Sequence, residues 1–175
     1  MRKSGGRLGH IQRYGLLVFG GDVAVIVFMW YAHPMDEERV KSLVNSCKVA
    51  RLLGIDIYEV KEGRAWGRLH LRDDLLNMFG MPHGGVLFTF ADQVCAACGN
   101  TLGRKAVAVE STVHFMKSAP GESTLYAEGE VTFTSRSIGR VEAKVVTGGG
   151  ETILKMHQIF FIKNELLESK APRDL

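Results

Sequence analysis

The chain has little with which to staple or charge itself. Three cysteines, Cys47, Cys95 and Cys98, occur in 175 residues. They cannot all pair with one another, and their spacing shows no framework, which excludes a disulfide-built secreted scaffold. Cys95 and Cys98 form a C-x-x-C with no second pair, which argues against a zinc site and for small apolar packing. No metal site is expected. Charge of one sign is also scarce. The 22 Lys and Arg against 19 Asp and Glu leave a net +3, too little to argue for nucleic acid. There is no internal repeat, no low-complexity segment and no helix-turn-helix segment. Apolar residues at 46% and charged residues at 23% exclude a disordered, collagen-like or coiled-coil chain. What remains is one domain's length, enough to bury a single core.

The first 34 residues are of a different kind. Residues 1–14 carry Arg2, Lys3, Arg7 and Arg13 and no acid, and an apolar run from Gly15 to Ala32 follows, broken by Asp22. Three readings stand side by side. The run is a signal or anchor, of about the minimum length for a bilayer span. It is an extra strand pair. Or it is a wrongly extended start, since Met35 opens a clean helix beginning. Without residues 1–34 the chain keeps 18 charges of each sign and a net charge of zero. The expected organisation is an extension over 1–34, a domain over 35–163, and a charged, frayed tail over 164–175.

Within the domain, Val40, Leu43, Val44 and Cys47 keep the spacing of one buried helix face over Asp36–Leu53. Gly54 is placed to stop that helix. Ile55–Val60 and Arg64–Leu71 alternate apolar and polar about a turn at Lys61–Gly63, which predicts a hairpin. Asp73–Pro82 has no period and reads as a loop. His83–Leu102 is apolar on nearly all sides, as a buried helix is. Four strands follow at 106–115, 123–134, 139–147 and 152–162. One fully apolar helix wrapped by an antiparallel sheet explains this order and predicts an α+β fold.

Candidate chemistry gathers between Asn77 and Asp92. His83-Gly84-Gly85 opens the buried helix, where N–H groups lack intrahelical partners and the dipole is positive. Glycines there either let an acyl carbonyl reach the backbone as in an oxyanion hole, or only permit close packing. Asp92 interrupts an apolar run, where a carboxylate is costly unless paired. It either performs chemistry or meets solvent or a distant Arg. With no serine or cysteine nucleophile nearby, an acyl site carrying its own carboxylate points to activated water or to direct attack giving an anhydride. Asn77 either caps its loop or holds water or substrate. Arg136, Arg140 and Lys117 lie in or beside loops. They suit phosphate recognition or are solvated charges. His70, His114 and His157 have no ligand spacing and read as structural. Phe90 reads as core, while Phe79 and Phe88 either line an acyl tunnel or fill core.

The spacing Asn77-x5-His83-Gly84-Gly85-x6-Asp92, and the run HGGVLFTFADQVCAACGN that contains most of it, resembles the hotdog-fold acyl-CoA thioesterases of the phenylacetate-pathway (PaaI) type. HFMKSAPGE at 114–122 and SRSIGR at 135–140 are similar to that family's strand end and later loop, and the likeness runs from about Met35 to Lys163. The resemblance implies a hotdog fold whose sheet wraps the 83–102 helix. It also implies a homodimer or homotetramer with sites at the dimer interface. There Asp92 is base or nucleophile, and the Gly84 N–H polarises the thioester carbonyl. His83 orients the loop and carbonyl, and Asn77 binds water or substrate. Gly85, Arg136, Arg140 and Lys117 contact the acyl-CoA. Coenzyme A enters only as part of the substrate, and no cofactor is implied. Relatives often carry Ser or Thr one turn after the acid to hold the lytic water. Ala96 stands there, so the choice between base and nucleophile stays open.

Two other functions fit the same fold. A non-catalytic acyl-CoA-binding or sensing domain needs the pocket but not the acid, and this chain keeps the acid. A hydratase needs a helix-borne His with an acid partner, and that pattern is absent. Coenzyme A thioesters are cytosolic, so a cytoplasmic location is expected, with membrane association unlikely.

Overall fold

Hairpin pairing organises most of the chain. In the computed structural model the described residues are 15–20, 23–28, 36–121 and 123–167. By their internal contacts, Met1–His33 and Pro34–Leu175 form separate units. In the first, β1 (Gly15–Gly20) pairs antiparallel with β2 (Val23–Phe28), Gly20 opposite Val23. The basic cluster at residues 1–14 lies outside the described residues. Among the described residues no helix is long and apolar enough to cross a membrane.

The second unit opens on two helices where one is expected. α1 (Glu37–Asn45) stops, and α2 (Lys48–Leu53) restarts after Cys47, whose φ of −58° and ψ of 122° leave the helical region. The reason is Asn45. Its Nδ2 donates to Ile57 O, and its Oδ1 accepts from Ile57 N–H, both at 2.9 Å. An amide clamped to a neighbouring strand competes with helix continuation, and Ser46 Oγ donates to Leu43 O at the same end. Gly54, at φ 78°, closes α2 in the left-handed region that a side chain rarely adopts.

Six antiparallel strands then form one sheet in the order β3-β4-β6-β7-β8-β5. They are β3 (Ile55–Lys61), β4 (Arg64–His70), β5 (Arg104–Phe115), β6 (Thr124–Thr134), β7 (Ile138–Thr147) and β8 (Thr152–Leu166). The alternation in β3, β4, β6, β7 and β8 sorts one face toward α3 (Gly84–Asn100) and one toward solvent, while β5 is exposed along most of its length. β8 runs past the expected boundary at Lys163. Arg104 donates to Asn164 Oδ1 and to Lys163 O, Lys105 pairs with Glu165, and Leu167 N–H bonds Gly103 O. The tail is therefore ordered through Leu167, and residues 168–175 lie outside the described residues.

α3 fills the sheet's concave side. Phe90, Ala91, Val94, Ala97 and Cys98 are fully buried. A buried Phe or Val contributes roughly 1.5–3 kcal/mol relative to exposure. Gly67 lies against Phe90 and Val94, and Gly129 against Val94 and Cys98, leaving little room for a side chain. Three polar contacts fix the helix in place. His83 caps its start through Gly85 N–H. Gln93 Nε2 donates to Val44 O of α1 at 2.6 Å. Thr101 Oγ accepts from Gly63 N–H in the β3–β4 turn.

Candidate active site

The start of α3 is built by its own cap. His83 Nδ1 accepts from Gly85 N–H at 3.0 Å, which places the neutral ring's proton on Nε2. His83 N–H bonds Leu75 O, tying the helix start to the preceding 3-10 turn Asp73–Leu75. His83 O accepts from Val86 and Leu87 N–H. The Gly84 N–H takes no partner among the described residues, so it remains a free donor at the positive end of a 17-residue helix. The Phe115 ring lies beside Gly84, 3.5 Å from where a Cβ would stand.

Asn77 shapes the loop ahead of this cap. Its Oδ1 accepts from Phe79 N–H at 2.9 Å and Met81 N–H at 3.2 Å. The side-chain carbonyl is thus committed to the turn, as in the loop-capping reading, while its Nδ2 donates to no described residue. Met78 and Phe79 stand exposed on the same loop, and Phe88 is exposed one turn into α3. Phe90 is in the core as expected.

Asp92 is half-buried on α3. Its Oδ1 accepts from Gln158 Nε2 of β8 at 2.6 Å, and the same nitrogen lies 3.0 Å from Ser111 Oγ of β5. No cation pairs with Asp92 among the described residues. The carboxylate therefore keeps a neutral donor on one oxygen and has no protein donor on the other. Neither Gln158 nor Ser111 was expected from sequence. The available signal was a break in pattern, because Gln158 sits in an otherwise apolar alternation, Leu154, Met156, Phe160 and Ile162.

The basic residues are dispersed. Arg136 is exposed, its guanidinium unpaired among the described residues. Lys117 is ion-paired with Glu151. Arg140 donates to Thr132 Oγ1 at 3.0 Å and neighbours Glu142, on the solvent face of β7 and thus across the sheet from Asp92. A shallow groove of about 340 Å³ opens on that face between Arg64, Trp66, Glu128, Glu142 and Lys144. Its charges largely neutralise one another, and it offers no group for acyl chemistry. His157 stands near Glu142 there and meets His114 edge-on.

A single apolar helix cradled by an antiparallel sheet and opening on HGG defines the hotdog fold. Residues 79–154 match the family described as Thioesterase superfamily. Acyl-coenzyme A thioesterase PaaI of Escherichia coli is 32% identical over 114 residues, 63% of this chain and 81% of that protein. A second relative, from Archaeoglobus fulgidus, is 35% identical over 94 residues, and the chain spans 61% of its length. The solved structure of the E. coli PaaI protein from the phenylacetic acid degradation operon superposes with a TM-score of 0.71 at 26% identity, covering 74% of this chain and 94% of that one. A Streptococcus pneumoniae hypothetical thioesterase solved with coenzyme A shares the fold at TM-score 0.62 and 22% identity, covering 64% and 88%. The chain belongs to the thioesterase superfamily and is PaaI-like.

Proposed function

We propose that the protein hydrolyses an acyl- or aryl-CoA thioester to the free acid and coenzyme A. The observation that carries this reading is the Asp92 carboxylate, half-buried on the core helix with a neutral donor and, among the described residues, no counter-charge. As base, it takes a proton from water while the water oxygen bonds the thioester carbon. The C–S bond then breaks and coenzyme A leaves as the thiolate. As nucleophile, its oxygen bonds the thioester carbon, the C–S bond breaks with coenzyme A leaving as the thiolate, and water then opens the acyl-aspartyl anhydride to the free acid and the carboxylate. Either route develops negative charge on the carbonyl oxygen, which the Gly84 N–H at the helix start is suited to bind. Neither route transfers electrons, and we assign it no metal or redox cofactor.

One chain does not assemble these parts. Gly84 and Asp92 are eight residues apart, about 12 Å of helix rise. A donor and a base acting on one carbonyl need to lie within hydrogen-bond reach of it. The missing half is supplied by a second copy. β5 offers the surface for it, a sheet edge with Val109 61% and Phe115 58% exposed, and such an unpaired edge invites pairing. The protein thus works as a homodimer or homotetramer, with Asp92 facing the Gly84, His83 and Asn77 region of its partner. His83 Nε2–H and Asn77 Nδ2 are the donors left for carbonyl, water or substrate, and Gly85 lets substrate approach. Arg136 is the basic residue readiest for a coenzyme A phosphate. Lys117 and Arg140 would first have to exchange their carboxylate partners for it. The cytoplasm is the proposed location, since coenzyme A thioesters are held there.

The test is thiol release over a panel of aryl and straight-chain acyl-CoAs, with Asp92→Ala and Asp92→Asn alongside. Turnover should fall at least about a hundredfold, the scale of a lost general base. A loss below about threefold with the fold retained would instead favour a non-catalytic acyl-CoA-binding domain.

A further inference from the structure

The helix-facing side of β8 admits one amide among aliphatic and aromatic side chains. Gln158 is 2% exposed, between Met156 and Phe160, which are as deeply buried. A carboxamide in that position costs free energy unless its donors are used. The strand register explains how they are. Gln158 lies opposite Ser111 on β5 and opposite Val141 on β7, so its side chain rises from the sheet beneath α3. One Nε2–H reaches Asp92 Oδ1 at 2.6 Å and the other Ser111 Oγ at 3.0 Å. The amide's orientation follows from chemistry. Turned over, its carbonyl oxygen would face the carboxylate, acceptor against acceptor.

We propose that Gln158 is the positioning residue of the hydrolytic carboxylate, with Ser111 holding the amide plane from its other side. The proposal rests on Asp92 being the base or nucleophile. Three consequences follow from the contact. Oδ1 is occupied, so Oδ2, which takes no protein donor among the described residues, is the oxygen that meets water or the acyl carbon. The side-chain torsion of Asp92 is set by a strand, not by the helix surface. And the donor that holds the carboxylate is a neutral amide, not the charge of an Arg or Lys. A titratable side chain close to Asp92 is Cys95, one turn along α3. Burial keeps its thiol protonated, with Cys98 and Asp92 adding to the effect. From β8 and β5 the facing groups are Gln158 and Ser111, neither of which titrates near neutral pH.

Gln158→Met keeps the length and removes both donors. It should lower kcat about 10- to 100-fold, the scale of a displaced reacting group, with KM within about twofold. Gln158→Glu should lower kcat at least as far, because an acceptor then faces Asp92 Oδ1 in place of the donor. Ser111→Ala should lower kcat about threefold. The Gln158 side-chain amide proton resonances should move between the wild-type protein and Asp92→Asn, since the acceptor they meet is changed. A Gln158→Met enzyme with kcat within twofold, beside an Asp92→Asn enzyme that has lost its activity, overturns the proposal and leaves the hydrolase standing. An active Asp92→Asn enzyme overturns the hydrolase reading instead. If Gln158→Met does not fold, amide resonances that Asp92→Asn leaves unmoved refute the positioning role.

Discussion

The two faces of the six-stranded sheet obey opposite economies. On the solvent face, charge is everywhere and arranged in cross-strand couples, such as Arg64 with Glu130 and Lys144 with Glu128. Water screens each couple, so each is individually replaceable. On the helix face, Leu125, Ala127, Val141, Ala143, Val145, Met156 and Phe160 are buried, and an amide enters at one point, where both of its donors are used. The difference teaches where to look for chemistry. A polar group on the wet face costs little and signifies little. One on the dry face must be compensated, and its partner is the residue most worth testing.

The comparison breaks most visibly at the thiols, where the largest effect is expected. Burial pushes Cys98 from 9.0 up to about 12, while Cys47 is half-buried at the start of α2. Since the thiolate is the reactive form, Cys98 should react with a disulfide reagent at pH 8 at least about a thousandfold more slowly than an unperturbed thiol. One thiol should react in the native protein and three after unfolding. Three thiols of equal rate would mean that the helix face is wet. The sign of the pH effect follows. The folded state keeps a proton that the unfolded chain sheds at the ordinary thiol value. That share of stability is whole below about pH 9 and is lost as pH rises through about 12.

Next in size is overpacking of the dry face. A Cβ on Gly139 would stand 2.4 Å from the Phe160 ring, which is itself 2% exposed and has nowhere to retreat. Gly139→Ala should cost about 1–3 kcal/mol in urea unfolding. Phe160→Leu in the same chain should recover part of that loss, a coupling between direct neighbours. Strict additivity of the two changes would show that the ring does not set the limit.

These contrasts also mark what was legible in the sequence. The hydrophobic period located the β3–β4 hairpin, the buried helix and the four later strands, because each of those patterns is complete within its own segment. The acid and the glycine pair were visible because both sit on that one helix. What could not be read depends on partners distant in sequence. The break between α1 and α2 follows from Asn45 reaching Ile57, and the extension of β8 from Arg104 and Lys105 reaching Asn164 and Glu165. Gln158 acquires meaning only once β8 is known to lie beside β5, since Ser111 and Gln158 are far apart in the chain and face each other through the sheet register. A break in alternation was visible at Gln158, but nothing local distinguishes a functional amide from an exposed edge.

The smallest effect belongs to the wet face and completes the contrast. Lys144 Nζ lies 2.7 Å from Glu128 Oε1, directly across from it on β6, and both side chains are about half exposed. Lys144→Met removes the couple while leaving the strand's stem to pack. It should cost under about 1 kcal/mol at low salt, and the difference should shrink further in about 1 M salt, where the screening length is near 3 Å. Thiol release should be unchanged, because the substitution lies across the sheet from Asp92. A loss as large as that of Gly139→Ala, or one indifferent to salt, would mean that this couple is buried against a second molecule. The outer face would then be a covered surface like the inner one, not a solvated one.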